Sequence, residues 1–454
     1  MPLSDPTLLT DDKPDDAQKT DVGSYFISNY PPYSQWNDGA LDDVRAALDR
    51  PPAPAGDAGE LTPLGLYLHI PFCRKRCKFC YFKVFTDVNA KDVQTYVDAL
   101  CNEISMVARA AAMGDRPFRF VYFGGGTPSF LSPRQLTSLA DRLRNHITWD
   151  GAEEVTFECE PGTLSETKVA TLRQSVGVTR LSLGVENFSD EILEENGRAH
   201  LSKQVHKAWD WIKDHDFYNV NIDLIAGMVG ETWDNWRRNI DQTIEMSPES
   251  VTIYQMELPF NTVYSKDILT GEKQSPVADW QTKRDWVAYA FETLAASGYV
   301  VSSAYTMVKD NAKVNFSYRD NLWHGSDLLA TGIASFGHVG GVHYQNVAHM
   351  KDYLGRIEAG ELPLGRGYVP TDNERLIREF ILLLKRGYLD LAYFRNKFGV
   401  DVGDRYANVL DRYAADGLLN RDGDRIELTM PGLLRVDSLL PAFFEPEHQG
   451  VRYT

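Results

Sequence analysis

From residue 65 the chain alternates short β-type runs with helix-length amphipathic stretches, and this rhythm constrains the fold more than any other feature. The runs are "GLYLHI" (65–70), "RFVYF" (119–123), "EVTFE" (154–158), "RLSLGV" (180–185), "NVNIDLI" (219–225) and "VTIYQ" (251–255). Between them lie segments such as "VQTYVDALCNEISMVARAAA" and "SPRQLTSLADRLRNHI". Strands separated by crossovers of helix length pair in parallel. Six such units exceed a small flavodoxin-like sheet and fall short of an eight-fold barrel. The simplest expectation is an α/β fold built on an open, partial (β/α)6 barrel over residues 61–300.

The flanks read differently. Residues 1–60 are rich in Asp, Pro and Ala and end in "RPPAPAGDAGE", which predicts a partly disordered extension with one helix near "DGALDDVRAALDR". After about residue 300 the alternation fades, and residues 301–370 read as a connecting region that completes the cleft. Residues 371–454 predict a small helical, winged-helix-like domain with a short strand pair. It lacks a basic stripe, so a packing role is expected rather than DNA binding.

The net charge of −17 argues against wholesale binding to nucleic acid or an anionic membrane. The N-terminal residues show no secretory pattern, and no apolar run of about 18 residues predicts a membrane span. Five cysteines, three of them in one motif, fit metal binding in a reducing compartment. A cytoplasmic location is therefore expected.

Polar residues gather at successive strand ends. Gly124, Gly125 and Gly126 follow "VYF", Glu158 ends "VTFE", Glu186 follows "SLGV", and Asp223 sits within "NIDLI". Folds of this kind place their sites at the C-terminal ends of parallel strands. One such residue could be a turn or a cap; four in succession favour a site.

"CRKRCKFCYF" (73–82) packs Cys73, Cys77 and Cys80 into one loop after the first strand. Thiolates at this spacing can wrap one corner of a metal cluster. A four-cysteine site would need another ligand, and position 82 is Phe. A [4Fe–4S] cluster held by three thiolates leaves one iron open; a zinc loop completed by a distant His is the alternative. Cys101 and Cys159 read as inert buried thiols.

"HIPFCRKRCKFCYF" resembles the CxxxCxxC loop of the radical S-adenosylmethionine (SAM) superfamily. In that superfamily SAM chelates the open iron, and its reductive cleavage yields a 5′-deoxyadenosyl radical that abstracts a hydrogen atom from the substrate. "YFGGGTPSFL", "VTFECEPGTL", "RLSLGVENFSDEIL", "GR.H" at 197–200, "NIDLIAGMVGET", "YQMELPFNT" and "NLWHGSDLLATGIASFGHVG" extend the resemblance. Their order is that of the oxygen-independent coproporphyrinogen oxidase-like (HemN-like) branch, over about residues 61–440.

The resemblance implies roles. Cys73, Cys77 and Cys80 would hold the cluster, and Tyr67 and Phe79 would line the SAM site. Gly124, Gly125, Gly126 and Thr127 would let backbone amides approach the methionyl part. Glu158 would accept from the SAM ammonium, and Glu186, Arg198 and Asp223 would contact ribose or carboxylate. For Arg198 and Asp223 a structural ion pair is the alternative.

Three activities of the branch compete. Coproporphyrinogen III dehydrogenases decarboxylate two propionates and carry a further cysteine two residues after the third, where this chain has Phe82. The heme chaperones share the Cys-x-Phe ending but carry a His-Asn…Tyr-Trp motif. Here "NFSYRDNLWHG" keeps Asn321 and Trp323 without the upstream His, and His324 or His338 would have to substitute. Class C methyltransferases use two SAM molecules. "GVEN" and Val229 mark a divergent member, so methyl or methylene transfer to an unsaturated or heteroaromatic small molecule is the leading expectation. A reductase, flavodoxin or ferredoxin would supply the electron. His324, His338 and His343 are candidate proton donors, with surface or structural roles as the alternative.

Overall fold

The computed structural model describes residues 26–450 apart from 53, 56–59, 260–261, 266–276, 310–313 and 315. Six parallel strands form in chain order: β1 Leu64–Ile70, β2 Phe118–Gly125, β3 Glu154–Cys159, β4 Arg180–Glu186, β5 Val220–Ala226 and β6 Ser250–Gln255. Each pairs with the next, from Tyr67 opposite Tyr122 to Asp223 opposite Thr252.

The crossovers form helices for local reasons. Asn89 and Asp92 make a capping box at the start of the helix Ala90–Val107. Ser132 and Gln135 do the same for Pro133–Arg144, which also has Pro at its first position. Val93, Val97, Leu100 and Ile104 recur three or four residues apart and are buried together. They form the stripe that covers the sheet.

The sheet does not stop at six strands. Residues 301–370 contribute to it rather than merely connecting. β7 Val300–Ser303 and β8 Thr306–Val308 add at the β6 edge, with β8 antiparallel to β6. β9 Asp327–Thr331 lies parallel to β1, making a seventh parallel strand. β10 Phe336–Val339, β11 Val342–Asn346 and β12 Leu364–Tyr368 then extend it antiparallel, giving a twelve-stranded sheet. The strand rhythm hides β9 because only the short helix Ser317–Trp323 precedes it. Its first residue is pinned by a buried ion pair, Arg116 Nη1 to Asp327 Oδ2 at 2.8 Å.

The N-terminal segment also departs from expectation. Residues 1–25 lie outside the described residues, but residues 26–50 are packed rather than loosely ordered. Tyr30, Trp36 and Val44 are buried, and the helix Leu41–Leu48 forms where the sequence predicts it. The reason is the β10–β12 edge, which this segment covers through an Asn37–Gly367 bridge.

The C-terminal region carries the helices Asp372–Leu384, Leu391–Phe398 and Ala407–Ala415 with a three-stranded antiparallel sheet. It is tied to the barrel by the Ala304 amide, which donates to the Lys385 carbonyl at 2.8 Å, and by Gln255 Nε2, which donates to the Leu434 carbonyl. Among the described residues no helix is long and apolar enough to cross a membrane.

Candidate active site at the strand ends

Strand alternation sends one residue in two into the barrel lumen. In "RLSLGVE" Arg180, Ser182, Gly184 and Glu186 share a side, and in "VNIDLIA" Asn221 and Asp223 do. Ser182 Oγ donates to Asp223 Oδ2 at 2.8 Å, and Asn221 Nδ2 donates to Asp223 Oδ1 at 2.9 Å. Asp223 is held by neutral donors, not by an ion pair with Arg198.

Arg198 has a different partner. It lies 3.5 Å from Glu186, donates to the Gly184 carbonyl at 2.8 Å and reaches Cys77 Sγ at 3.4 Å. The ion-pair alternative for Arg198 is therefore met by Glu186. Glu186 takes a left-handed backbone, φ 64°, at a register shift where β4 ends. A non-glycine residue held there is strained, and the shift turns its carboxylate toward Arg198.

The loop after β1 brings the three cysteines together, each half-buried. Thr127 Oγ1 donates to Cys73 Sγ at 3.3 Å, and the Cys80 amide donates to the Cys77 carbonyl. Burial pushes the Cys73 thiol up to about 12 and the Cys80 thiol up to about 11, the other cysteines adding to the rise. Free thiolates at these two positions are thus disfavoured unless a cation joins them.

The glycine run passes beside this loop with no room for side chains. A Cβ on Gly126 would lie 2.9 Å from the Pro71 carbonyl carbon and 3.0 Å from Cys73 Sγ. Gly125 has φ 118°, and a Cβ there would meet the His69 ring at 2.8 Å. On Gly124 it would meet Tyr122 at 2.8 Å and the Tyr67 hydroxyl at 3.0 Å.

Glu158 faces this run. It accepts from Tyr122 OH at 2.7 Å and from the Gly125 amide at 3.2 Å. Burial raises its carboxyl to about 7 against these hydrogen bonds, with the Asp223 charge adding. Burial likewise raises Glu186 to about 7 and Asp223 to about 6. Three carboxyls converge with too little positive charge to ionise them all, a setting that favours an incoming cation.

Tyr67 stacks on Tyr122 with centroids 5.8 Å apart, and its hydroxyl lies 3.3 Å from His69 Nδ1. Phe79 packs instead beside a small apolar cluster of Ile192, Ile225, Met228 and Met256. The histidines are corrected. His338 and His343 are not on the surface: both are buried, their Nδ1 atoms lie 2.9 Å apart, and His343 stacks on Trp36. Burial holds both well below the usual histidine range. His324 caps a short helix against Tyr393.

Sequence reasoning missed Tyr122, Arg180, Tyr254 and Tyr318, which also line the lumen. Alternation within the strands carried the signal for the first three; Tyr318 belongs to the helix before β9 and had none.

A parallel α/β barrel with three thiols on the loop after its first strand, and carboxyls on the next strand ends, defines a metal-cluster enzyme of the radical type. A family model described as "Radical SAM superfamily" matches residues 67–242, and one described as "HemN C-terminal domain" matches 371–435. The chain belongs to the HemN-like branch of the radical SAM superfamily. It is 31% identical to the heme chaperone HemW of Mycobacterium tuberculosis over 83% of this chain and 94% of that protein. It is 27% identical to the oxygen-independent coproporphyrinogen III oxidase of Pseudomonas aeruginosa, over 94% of each chain. The solved coproporphyrinogen III oxidase (HemN) of Escherichia coli has the same fold, with TM-score 0.78 at 24% identity over 94% of this chain and 99% of that one.

The cofactors are accordingly a [4Fe–4S] cluster and SAM. The donor set fits them. Three thiols share one loop, a guanidinium and a hydroxyl brace two of the sulfurs, and the adjacent backbone is stripped of side chains.

Proposed function

We propose that this protein is a radical SAM enzyme acting on a tetrapyrrole, in the manner of the coproporphyrinogen oxidases. The observation that carries the reading is an aromatic rim around the candidate site. Tyr81 and Phe82, 39% and 46% exposed, stack on each other with centroids 4.4 Å apart directly after Cys80. Tyr254 is 42% exposed, and its hydroxyl feels the charges of Asp223, Glu158 and Glu186. Exposed aromatic faces suit the apolar pyrrole faces of a macrocycle. Phe82 stands where those dehydrogenases carry a further cysteine, so a ring face replaces a thiol at the rim.

When bound, the cluster and SAM supply a 5′-deoxyadenosyl radical able to take a hydrogen atom from a substrate carbon. Cys73, Cys77 and Cys80 would hold the cluster, with Arg198 and Thr127 bracing two of the sulfurs. Gly124 to Gly126, Thr127 and Tyr67 would take the methionyl group, and Glu158, Glu186 and Asp223 would receive the cationic and hydroxyl groups of SAM. Phe79 packs behind the loop.

Methyl transfer, the leading expectation from sequence, has no support from the oxidase and chaperone relatives. Heme binding without turnover is the second reading, favoured by the 31% identity to HemW and by Phe82. The test is to incubate the reduced, cluster-loaded protein with SAM and coproporphyrinogen III. Deoxyadenosine formation stimulated by the tetrapyrrole, with loss of substrate carboxylates, is expected. Stoichiometric heme binding without deoxyadenosine would favour the chaperone reading, and S-adenosylhomocysteine would restore methyl transfer.

A further inference from the structure

The loop after β4 is locked by a buried polar network that the site described above does not use. The Asn187 amide donates to the Val185 carbonyl at 2.8 Å, closing a three-residue turn on Glu186. With φ 64° at its centre, this is the strained form of such a turn. A backbone of that kind persists only where its surroundings over-determine it. The next two amides are taken as well. Phe188 donates to Asn239 Oδ1 at 3.0 Å, and Ser189 donates to Asn187 Oδ1 at 2.9 Å.

Those two bonds fix how the asparagines are turned. Asn187 and Asn239 are buried, and with their carbonyl oxygens engaged both present Nδ2 to Glu231. Asn187 Nδ2 reaches Glu231 Oε1 at 2.9 Å, and Asn239 Nδ2 reaches the same oxygen at 3.2 Å. Glu231 Oε2 accepts from the Gly227 amide at 2.7 Å and the Met228 amide at 3.2 Å. All four groups that meet the carboxylate are donors, so position 231 requires a side chain that only accepts. A glutamine would set its own NH2 against two of them.

The network joins three elements. Asn187 to Ser189 belong to the loop after β4, Gly227 and Met228 to the loop after β5, and Asn239 to the helix Trp233–Met246. Asn235, one turn before Asn239, exchanges further bonds with Asn187 at 3.1 and 3.3 Å. The strained turn on Glu186 is thus held from outside the barrel, while its carboxylate faces Arg198 inside.

We propose that Asn187 and Glu231, with Asn239, are positioning residues for SAM, which keep the Glu186 carboxylate turned toward Arg198 before the cofactor arrives. A contact held in its binding geometry in advance loses less freedom when the ligand binds. The assignment rests on the reading of Glu186 as a SAM contact.

The experiment measures SAM binding to the cluster-loaded protein by equilibrium dialysis. It is run at about pH 8.5, above the values of about 8 and about 7 to which burial raises Glu231 and Glu186. Asn187→Ala and Glu231→Gln should each weaken SAM binding about tenfold and leave the cluster absorbance unchanged. In a Glu186→Gly background, where no carboxylate remains to be held, the same substitutions should change SAM affinity by less than about twofold. A merely structural network would not give that non-additivity. Should Glu231→Gln not fold, Asn187→Ala and Asn239→Ala carry the same comparison. SAM binding unchanged in the single variants, or losses that add to that of Glu186→Gly, overturns the proposal and leaves Glu186 as a SAM contact. A Glu186→Gly variant that binds SAM as the wild type does overturns both.

Discussion

Arg198 joins the two halves of the site, touching Cys77 of the cysteine loop on one side and a strained acid, Glu186, on the other. Burial opposes its charge, but Cys77 and Glu186 outweigh that and hold the guanidinium firmly protonated. Single substitutions around it should therefore separate cluster assembly from SAM binding. Cys77→Ala should abolish the ~400 nm absorbance of the thiolate-bound cluster; a full cluster in that variant refutes the ligand set. Asp223→Ala, whose contacts are Ser182 and Asn221, should weaken SAM binding in equilibrium dialysis and leave that absorbance intact. Glu186→Gly exchanges a left-handed glutamate for the residue that adopts φ 64° freely. It also removes the buried ion-pair partner of Arg198, so relief of the strain offsets only part of the loss: stability in a urea titration and SAM affinity should both fall.

At the scale of elements, β9 shows what the sequence could and could not say. The six leading strands were legible because each is followed by an amphipathic crossover, which repeats the same period change. "DLLAT" is as apolar as they are, but a helix of seven residues precedes it, and nothing in its own pattern says which edge it joins. Its place is set by Arg116, which reaches across 211 residues to Asp327 and also donates to the Thr62 carbonyl at 2.7 Å. Asp327→Asn would leave that arginine charged and buried. The expected loss is about 3–5 kcal/mol in denaturant midpoint analysis; a loss below about 1 kcal/mol would show that strand pairing alone fixes β9. The strand-end carboxyls were legible for the same reason as the strands. Arg180 and Tyr122 were not singled out, because they lie away from the C-terminal ends of their strands, and alternation alone does not say which face of the sheet carries the site.

For the whole molecule, the clustered carboxyls make stability depend on pH and on ligand together. Glu158 rises from 4.5 to about 7 on folding. Below about 4.5 it is protonated in both states and costs nothing. As pH climbs toward 7 the unfolded chain ionises first, so the folded protein loses stability through that window. Compared with Glu158→Gln, the cofactor-free wild type should show a melting temperature that falls more steeply between pH 4.5 and 7. SAM, by adding positive charge, should flatten the difference; a slope identical in both proteins at all conditions would show that Glu158 ionises freely.

The packing of residues 26–50 bears on how the chain is made. The Ile27 amide bonds Asp437, 410 residues on, and Tyr30 OH accepts from the Glu445 amide 415 residues on. On the ribosome those partners emerge about 400 residues after this segment, so the segment waits for them to find its place. The barrel strands and the cysteine loop are synthesised before then, so the docking of Ile27 and Tyr30 onto the C-terminal region becomes a late step in folding.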